Sequence, residues 1–318
     1  MRVIPVIVIL AAAAVFMAVV LTAANKIFDV AVNAGKTKEK VLKTNANKNA
    51  DGTPKERSEK ERANEWLRAQ EPAVCRMRSC DGLVLAAHTL LAAQPSHLWA
   101  FCIHGFSGSG LGLGLAAKHW HEQGWNVFLP DLRGSGDSEG SYYGMGWLDR
   151  LDIIRWIKEV ILKEDPEAQV VLHGVSMGAA AVMMTTGEPL PENVRAAVED
   201  CGYTGVWEEF TLQLKKVFGL PQFPIMYIAN VMAKRRAGYS FQEASAVCQV
   251  KKSKTPTLFI HGDKDTFVPF FMLDQVYSAA ACEKEKLVVH GAQHGEAAQL
   301  APQRYWDTVH AFVGKYLD

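Results

Sequence analysis

A serine hydroxyl becomes a nucleophile only when a base takes its proton, and the base works only when a third group holds it in the right tautomer. One stretch frames a serine for that work. Val170-Val171-Leu172-His173-Gly174-Val175-Ser176-Met177-Gly178-Ala179-Ala180 is an apolar run that breaks at a Gly-x-Ser-x-Gly and resumes with small and apolar residues. It reads as a buried strand, a sharp turn and a helix start, with Ser176 at the apex and two glycines where a Cβ would collide. The turn sets Ser176 at the N-terminal end of a helix, where N–H groups without intrahelical partners face a developing negative charge. By itself the pentapeptide is a weak signal, because two glycines and a serine meet by chance in many loops.

The base and the orienting acid must come from elsewhere, and each has a rival nearby. Asp263 directly follows Gly262, whereas Asp265 lies two residues on, just before Thr266-Phe267-Val268-Pro269 and the next helix. Asp265 is the expected orienting carboxylate, with Asp263 bracing the loop. His290 belongs to a strand end, whereas His294 lies between Gly291 and Gly295 on a loop able to reach inward. His294 is the expected base. His104, His173 and His261 each precede a glycine and read as structural histidines. An oxyanion would be met by two backbone N–H groups, those of Met177 and of Phe106 after His104-Gly105. Asp131-Leu132-Arg133-Gly134-Ser135-Gly136 lacks both Gly-x-Gly-x-x-Gly spacing and a P-loop lysine, so it reads as a structural turn. The six cysteines show neither a disulfide framework nor zinc-ligand spacing, and no metal or cofactor is expected.

The elements that must carry these groups follow from the apolar pattern. Segments 73–80 and 83–90 flank Asp81-Gly82 as an antiparallel pair at a sheet edge. Short apolar strands are expected at 98–103, 125–130, 170–175, 194–198, 255–260 and 286–289, alternating with helical spacing at 111–124 and 146–163. Such alternation predicts an α/β fold with a mostly parallel, doubly wound sheet, with chemistry at the carboxyl ends of the strands. Residues 203–254 are too many for a simple crossover and read as a small helical cap. Trp207, Phe210, Phe218, Phe223 and Tyr227 lie in it, and two readings stay open: they line an acyl pocket, or they pack two short helices on the sheet.

The chain divides into three parts. Val3 to Asn25 carries no charge and matches the roughly 20 apolar residues of a bilayer-spanning helix. Residues 1–25 are therefore expected to be a transmembrane anchor, with a signal segment cleaved after the weak site Val32-Asn33-Ala34 as the alternative. Lys26, Lys36, Lys38, Lys40 and Lys43 follow the span against Arg2 before it. Read literally, the positive-inside rule puts the large domain in the cytoplasm, and the side of the membrane stays open. Residues 26–69 read as a polar tether, partly helical near Glu56–Trp66, and 70–318 as the globular domain. With 34 basic and 34 acidic side chains among 318 residues there is no field to steer a polyanion, so nucleic acid is not an expected partner. The oligomeric state stays open.

His104-Gly105-Phe106, the 131–136 turn, Gly174 to Gly178, Asp200-Cys201-Gly202-Tyr203, residues 261–269 and residues 291–296 occur in an order that resembles the α/β-hydrolase superfamily. More narrowly, the chain resembles bacterial membrane-anchored serine hydrolases of the esterase, lipase and acyl-peptidase type. The resemblance covers about residues 70–318. It implies the α/β-hydrolase fold, a triad of Ser176, Asp265 and His294, and metal-free acyl transfer in two steps on a small ester or acyl substrate. It does not imply a particular substrate. A carboxylic-ester hydrolase is the expected function, and a peptidase of the same fold is the alternative. A non-catalytic tethered binding module would predict decay of the triad, whereas all three residue types are present.

Overall fold

The computed structural model describes residues 3–35 and 58–318. Among the described residues eight strands make one sheet: β1 (Ala73–Arg78), β2 (Val84–Leu90), β3 (Leu98–Ile103), β4 (Asn126–Pro130), β5 (Gln169–Val175), β6 (Val194–Asp200), β7 (Thr257–Gly262) and β8 (Lys284–Val289). Their order across the sheet is β1-β2-β4-β3-β5-β6-β7-β8. The β1–β2 hairpin turns at Asp81-Gly82 and β2 runs antiparallel to β4, while every pairing from β4 across to β8 is parallel. The strands β4 and β7 are buried along their whole length. A strand covered on both faces needs a continuous apolar run, which is what these segments carry.

Helices cover both faces and make two cores. On one side lie α2 (Glu59–Ala69), α3 (Gly114–Glu122) and, near the C-terminus, α11 (Pro302–Val313), which bury Leu67, Trp120, Tyr305 and Phe312. On the other lie α4, over residues 149–164, α5 (Met177–Thr186) and α9 (Phe271–Ala279), with Trp156, Met183 and Met272 in the core. Every residue of α5 is buried. Its small residues allow that, since a helix enclosed on all sides must let its neighbours come close. Between β6 and β7 stand α6 (Val206–Phe218), α7 (Ile225–Arg236) and the short α8 (Ala246–Val250), in the interval expected to form the cap. The four-residue α10 (Ala297–Leu300) precedes α11.

The segment read as a polar tether, 26–69, is folded at both described ends, and its middle, 36–57, lies outside the described residues. At the near end α1 (Val3–Ala31) runs six residues beyond the uncharged stretch. Val20, Ala24, Ile27 and Phe28 form a helical stripe buried against α7 and the domain, which outweighs the local polarity of Asn25, Lys26 and Asp29. At the far end Ser58 caps α2 reciprocally with Glu61, and Leu67 anchors the helix in the core.

His173 has the structural role expected of it. Trp120 Nε1 donates to His173 Nδ1 at 3.0 Å, and His173 Nε2 lies 2.9 Å from the Tyr305 hydroxyl. Burial holds the ring neutral, its pKa pushed down to about 3.

The 131–136 turn is a structural brace. Asp131 accepts the N–H groups of Gly110 at 2.7 Å and Asp137 at 2.8 Å. Arg133 reaches Asp152 of α4 with two nitrogens, at 2.5 Å and 3.0 Å, and Asp81 of the hairpin turn at 2.6 Å. Arg133 and Asp152 are both almost fully buried. Removing one partner of a buried pair strands the other, so Arg133→Leu is expected to cost about 3–5 kcal/mol in urea denaturation. The double variant Arg133→Leu/Asp152→Leu should recover much of that loss, and equal losses in both would show that the ion pair is not the cause.

Candidate active site

Strand β5 ends at Val175 and α5 begins at Met177, so a single residue makes the corner. Ser176 takes φ 59° and ψ −121°. Holding a non-glycine residue there costs about 1–3 kcal/mol, which the surrounding structure must supply. The Ser176 N–H donates to Asp200 O at 2.8 Å, tying the corner to the end of β6. The flanking glycines are required for room. A Cβ on Gly178 would stand 2.0 Å from Ile103 O, and one on Gly174 2.3 Å from Gly178 O. Bare backbone is what lets α5 start directly over β5 beside the end of β3.

The structure brings Ser176, His294 and Asp265 together from three strand ends. His294 Nε2 is 2.8 Å from Ser176 Oγ, and His294 Nδ1 is 2.7 Å from Asp265 Oδ2. This spacing fits an imidazole that donates from Nδ1 to the carboxylate and accepts the serine proton at Nε2. Asp265 Oδ1 accepts the N–H groups of Phe267 at 2.8 Å and Val268 at 3.0 Å. Burial opposes its charge, but hydrogen bonds with His261 and His294 prevail and hold its pKa at about 2. Asp263 instead accepts the Gly291 N–H at 2.7 Å and pairs with His290 at 3.0 Å, bracing the loop that carries His294.

The upstream loop runs alongside the serine. A Cβ on Gly105 would lie 3.2 Å from Ser176 Cβ. His104 shapes this loop, donating from Nδ1 to Gly105 O at 2.7 Å and accepting the Leu132 N–H on Nε2 at 3.0 Å. Phe106 and Met177 line the same cavity as Ser176. As the first residue of α5, Met177 has an N–H with no acceptor inside its own helix.

That cavity holds about 270 Å³ and is mostly apolar in lining. Of the five cap aromatics, Phe210 and Phe218 line it. Trp207 and Phe223 instead meet Tyr227 edge to face, with ring centroids 5.2 and 5.7 Å from it. Phe223 and Tyr227 are exposed, so they neither line the cavity nor pack the cap on the sheet. Sequence reasoning missed Glu209, a buried acid on α6 that lines the cavity and whose Oε2 lacks a hydrogen-bond partner among the described residues. Burial pushes its pKa up to about 7. The signal was available, since Val206, Phe210 and Leu214 mark the apolar face of α6 and Glu209 falls on it. Reasoning from sequence also missed Ile27, Val30 and Ala31 of α1, which line the cavity as well.

His261 has more than the generic structural role expected of it. Its fully buried ring donates from Nε2 to Val268 O at 2.9 Å and passes 3.2 Å from Asp265 Oδ2. Behind it Glu199 of β6 accepts the Gly202 N–H at 3.0 Å. Burial drives the Glu199 carboxyl up to about pKa 8, although His261 opposes the shift. Among the described residues, two clusters offer donor atoms within 4.8 Å of one another, Cys201 with Asp265 and His294, and His88 with Asp131 and Asp137. In the first, burial keeps the Cys201 thiol protonated and both ring nitrogens of His294 are engaged. In the second, Asp131 is already committed to two backbone N–H groups.

The family described as "Serine aminopeptidase, S33" matches residues 95–237. The chain is 26% identical over 204 residues to the uncharacterized protein YqkD of Bacillus subtilis (strain 168), covering 63% of this chain and 67% of that one. It spans 60–67% of the length of the first curated relatives it matches. Among solved structures, an esterase of Pyrococcus furiosus superposes with a TM-score of 0.61 at 19% identity, covering 79% of this chain and 94% of that one. An acylaminoacyl peptidase of Pyrococcus horikoshii superposes with a TM-score of 0.57 at 18% identity, covering 77% of this chain and 41% of that one. The sheet, its crossovers and these superpositions make the fold that of the α/β-hydrolases.

The Glu199 carboxyl makes stability depend on pH. Its folded value of about 8 lies above the ordinary 4.5, so the folded protein keeps a proton that the unfolded chain has released. Its stabilising contribution is complete below the unfolded value and is lost as pH rises toward the folded one. Glu199→Gln removes this dependence, so the variant should gain stability relative to wild type between about pH 5 and pH 8 in urea denaturation. Parallel stability curves would show that the carboxyl is already ionised in the folded state.

Proposed function

For this member of the α/β-hydrolase superfamily, we propose a serine hydrolase that cleaves carboxylic esters through an acyl-enzyme. The observation that carries this reading is the hydrogen-bonded series Ser176–His294–Asp265 opening onto an apolar cavity. Ser176 Oγ attacks the ester carbonyl carbon while its proton passes to His294 Nε2. Asp265, kept ionised, orients the ring and stabilises the imidazolium. The N–H groups of Phe106 and Met177 receive the oxyanion. The tetrahedral intermediate collapses as the bond to the alcohol oxygen breaks, and His294 returns the proton to the departing alcohol. Water then attacks the acyl-enzyme, giving up a proton to His294, and the carboxylic acid leaves as Ser176 regains its hydrogen. No cofactor enters these steps. The apolar helix α1 serves as a membrane anchor, supported by the length and composition of Leu10–Ala31.

Ser176→Ala should lower kcat for p-nitrophenyl butyrate by at least about 10⁴-fold with an unchanged thermal melt. Wild type alone should be labelled by a fluorophosphonate probe. Appreciable turnover by the alanine variant would remove Ser176 from its role.

A peptidase reading has one observation of its own, the buried Glu209 at the cavity, which a substrate ammonium could pair with. Under that reading wild type cleaves alanine p-nitroanilide, and Glu209→Gln raises its KM by about tenfold or more, the expected loss of a charge-assisted contact. The ester reading expects no measurable anilide turnover from wild type.

A further inference from the structure

The cavity beside Ser176 is walled in part by the N-terminal helix. Ile27, Val30 and Ala31, spaced i, i+3 and i+4 along the last turns of α1, line it together with Val217 and Phe218 of α6. These turns are tied to the domain by several independent contacts. The stripe ending at Phe28 is buried. Arg236 at the end of α7 donates to Asn25 Oδ1 at 2.7 Å, with its guanidinium 5.4 Å from the Phe28 ring. Beyond the helix the chain pairs with the loop after β4: Ala34 N donates to Ser141 O at 3.0 Å, and Tyr143 N to Val32 O at 2.9 Å. Val32 and Ala34, the small-residue positions that resemble a cleavage site, are both buried. Cutting there and losing α1 would remove one wall of the cavity.

Toward its N-terminus the same helix is clear of the domain. Leu10, Val15, Phe16 and Val19 are exposed, within or beside a stretch long and apolar enough to cross a membrane. The cavity rim is apolar and exposed too, with Val30 at 47%, Val217 at 64%, Phe218 at 45% and Phe267 at 48%. Exposed apolar groups this close together are unfavourable against water and favourable against hydrocarbon. Val19, Ala23, Ile27 and Val30 recur at helical spacing along α1, so an apolar row, flanked by the exposed Lys26, runs from the candidate span to the cavity that Ser176 also lines.

We propose that α1 is a working part of the acyl-binding site, and that the substrate is a bilayer-resident ester of a long-chain fatty acid whose acyl chain passes along α1 into the cavity against Ile27, Val30 and Ala31. This rests on the ester-hydrolase reading of Ser176. The alcohol part then stays near the polar interface, and an anchor retained on the protein is a requirement of the chemistry as well as of location.

The test uses the full chain reconstituted in phosphatidylcholine vesicles. Wild type should hydrolyse p-nitrophenyl palmitate with a higher kcat/KM than p-nitrophenyl butyrate. Val30→Trp, a bulky group at the half-exposed rim, should lower the palmitate-to-butyrate ratio by about tenfold or more. Ala31→Trp gives the same readout if Val30→Trp does not fold, and Val15→Trp on the exposed part of the helix serves as the control. Fluorophosphonate labelling of Ser176 reports in each variant whether the nucleophile and the fold are intact. An unchanged ratio in a labelled Val30→Trp or Ala31→Trp protein overturns the role of α1 and leaves the esterase reading standing. A labelled wild type that prefers butyrate overturns the long-chain substrate. A wild type that is neither labelled nor active on either ester overturns the reading on which the inference rests.

Discussion

Everything at the site depends on the absence of side chains at the junction of β5 and α5. Gly178 packs its backbone against Ile103 O, and Gly174 packs against Gly178 O, closer than any Cβ would permit. This contact lets an almost wholly buried helix start one residue after a central strand and forces Ser176 into its positive φ. The sheet order then does the rest. With β3 on one side of β5 and β6 on the other, the loop through Gly105 and the turn after Asp200 meet at the serine. The strain at one residue is small against the burial that sustains it.

The electrostatics follow from how each buried acid is satisfied. Asp265 is as buried as its neighbours, yet two backbone N–H groups and two imidazoles surround it and it stays ionised. Glu199 receives one backbone N–H on one oxygen, and its other oxygen has no hydrogen-bond partner among the described residues, so burial dominates and it holds its proton. Glu209 is similar, with Gln213 on one oxygen only. The same functional group at similar burial thus takes different charge states, decided by the number of donors within reach. A negative charge fixed behind an imidazole and a neutral, apolar cavity in front of it is an arrangement suited to acyl chemistry.

The N-terminal helix changes character along its length. From Leu10 to Val19 it carries apolar residues on every side, whereas its last turns add Asn25, Lys26 and Asp29 and confine the buried residues to one stripe. The change in pattern marks where the helix meets the domain. Because that meeting point is also the edge of the cavity, any displacement of α1 alters the space beside Ser176.

Much of this was legible in the chain. Apolar runs punctuated by glycine placed the strands, the hairpin at Asp81-Gly82 and the corner at Ser176, because strand burial and tight turns are local demands on residue type. Asp265 and His294 could be preferred over Asp263 and His290 from their position relative to the following helix and to flanking glycines. What only the tertiary structure decided depends on residues distant in sequence meeting in space. His261 reaching Asp265, Glu209 lining the cavity, and the division of the cap aromatics between the cavity and an edge-to-face cluster are all set by how helices lie on the sheet. The polar residues after Asn25 argued locally for a tether, and a buried stripe of four side chains overrode them. Composition reports the solvent a segment prefers when it stands alone, whereas docking depends on a complementary surface that is encoded some two hundred residues away, in α7.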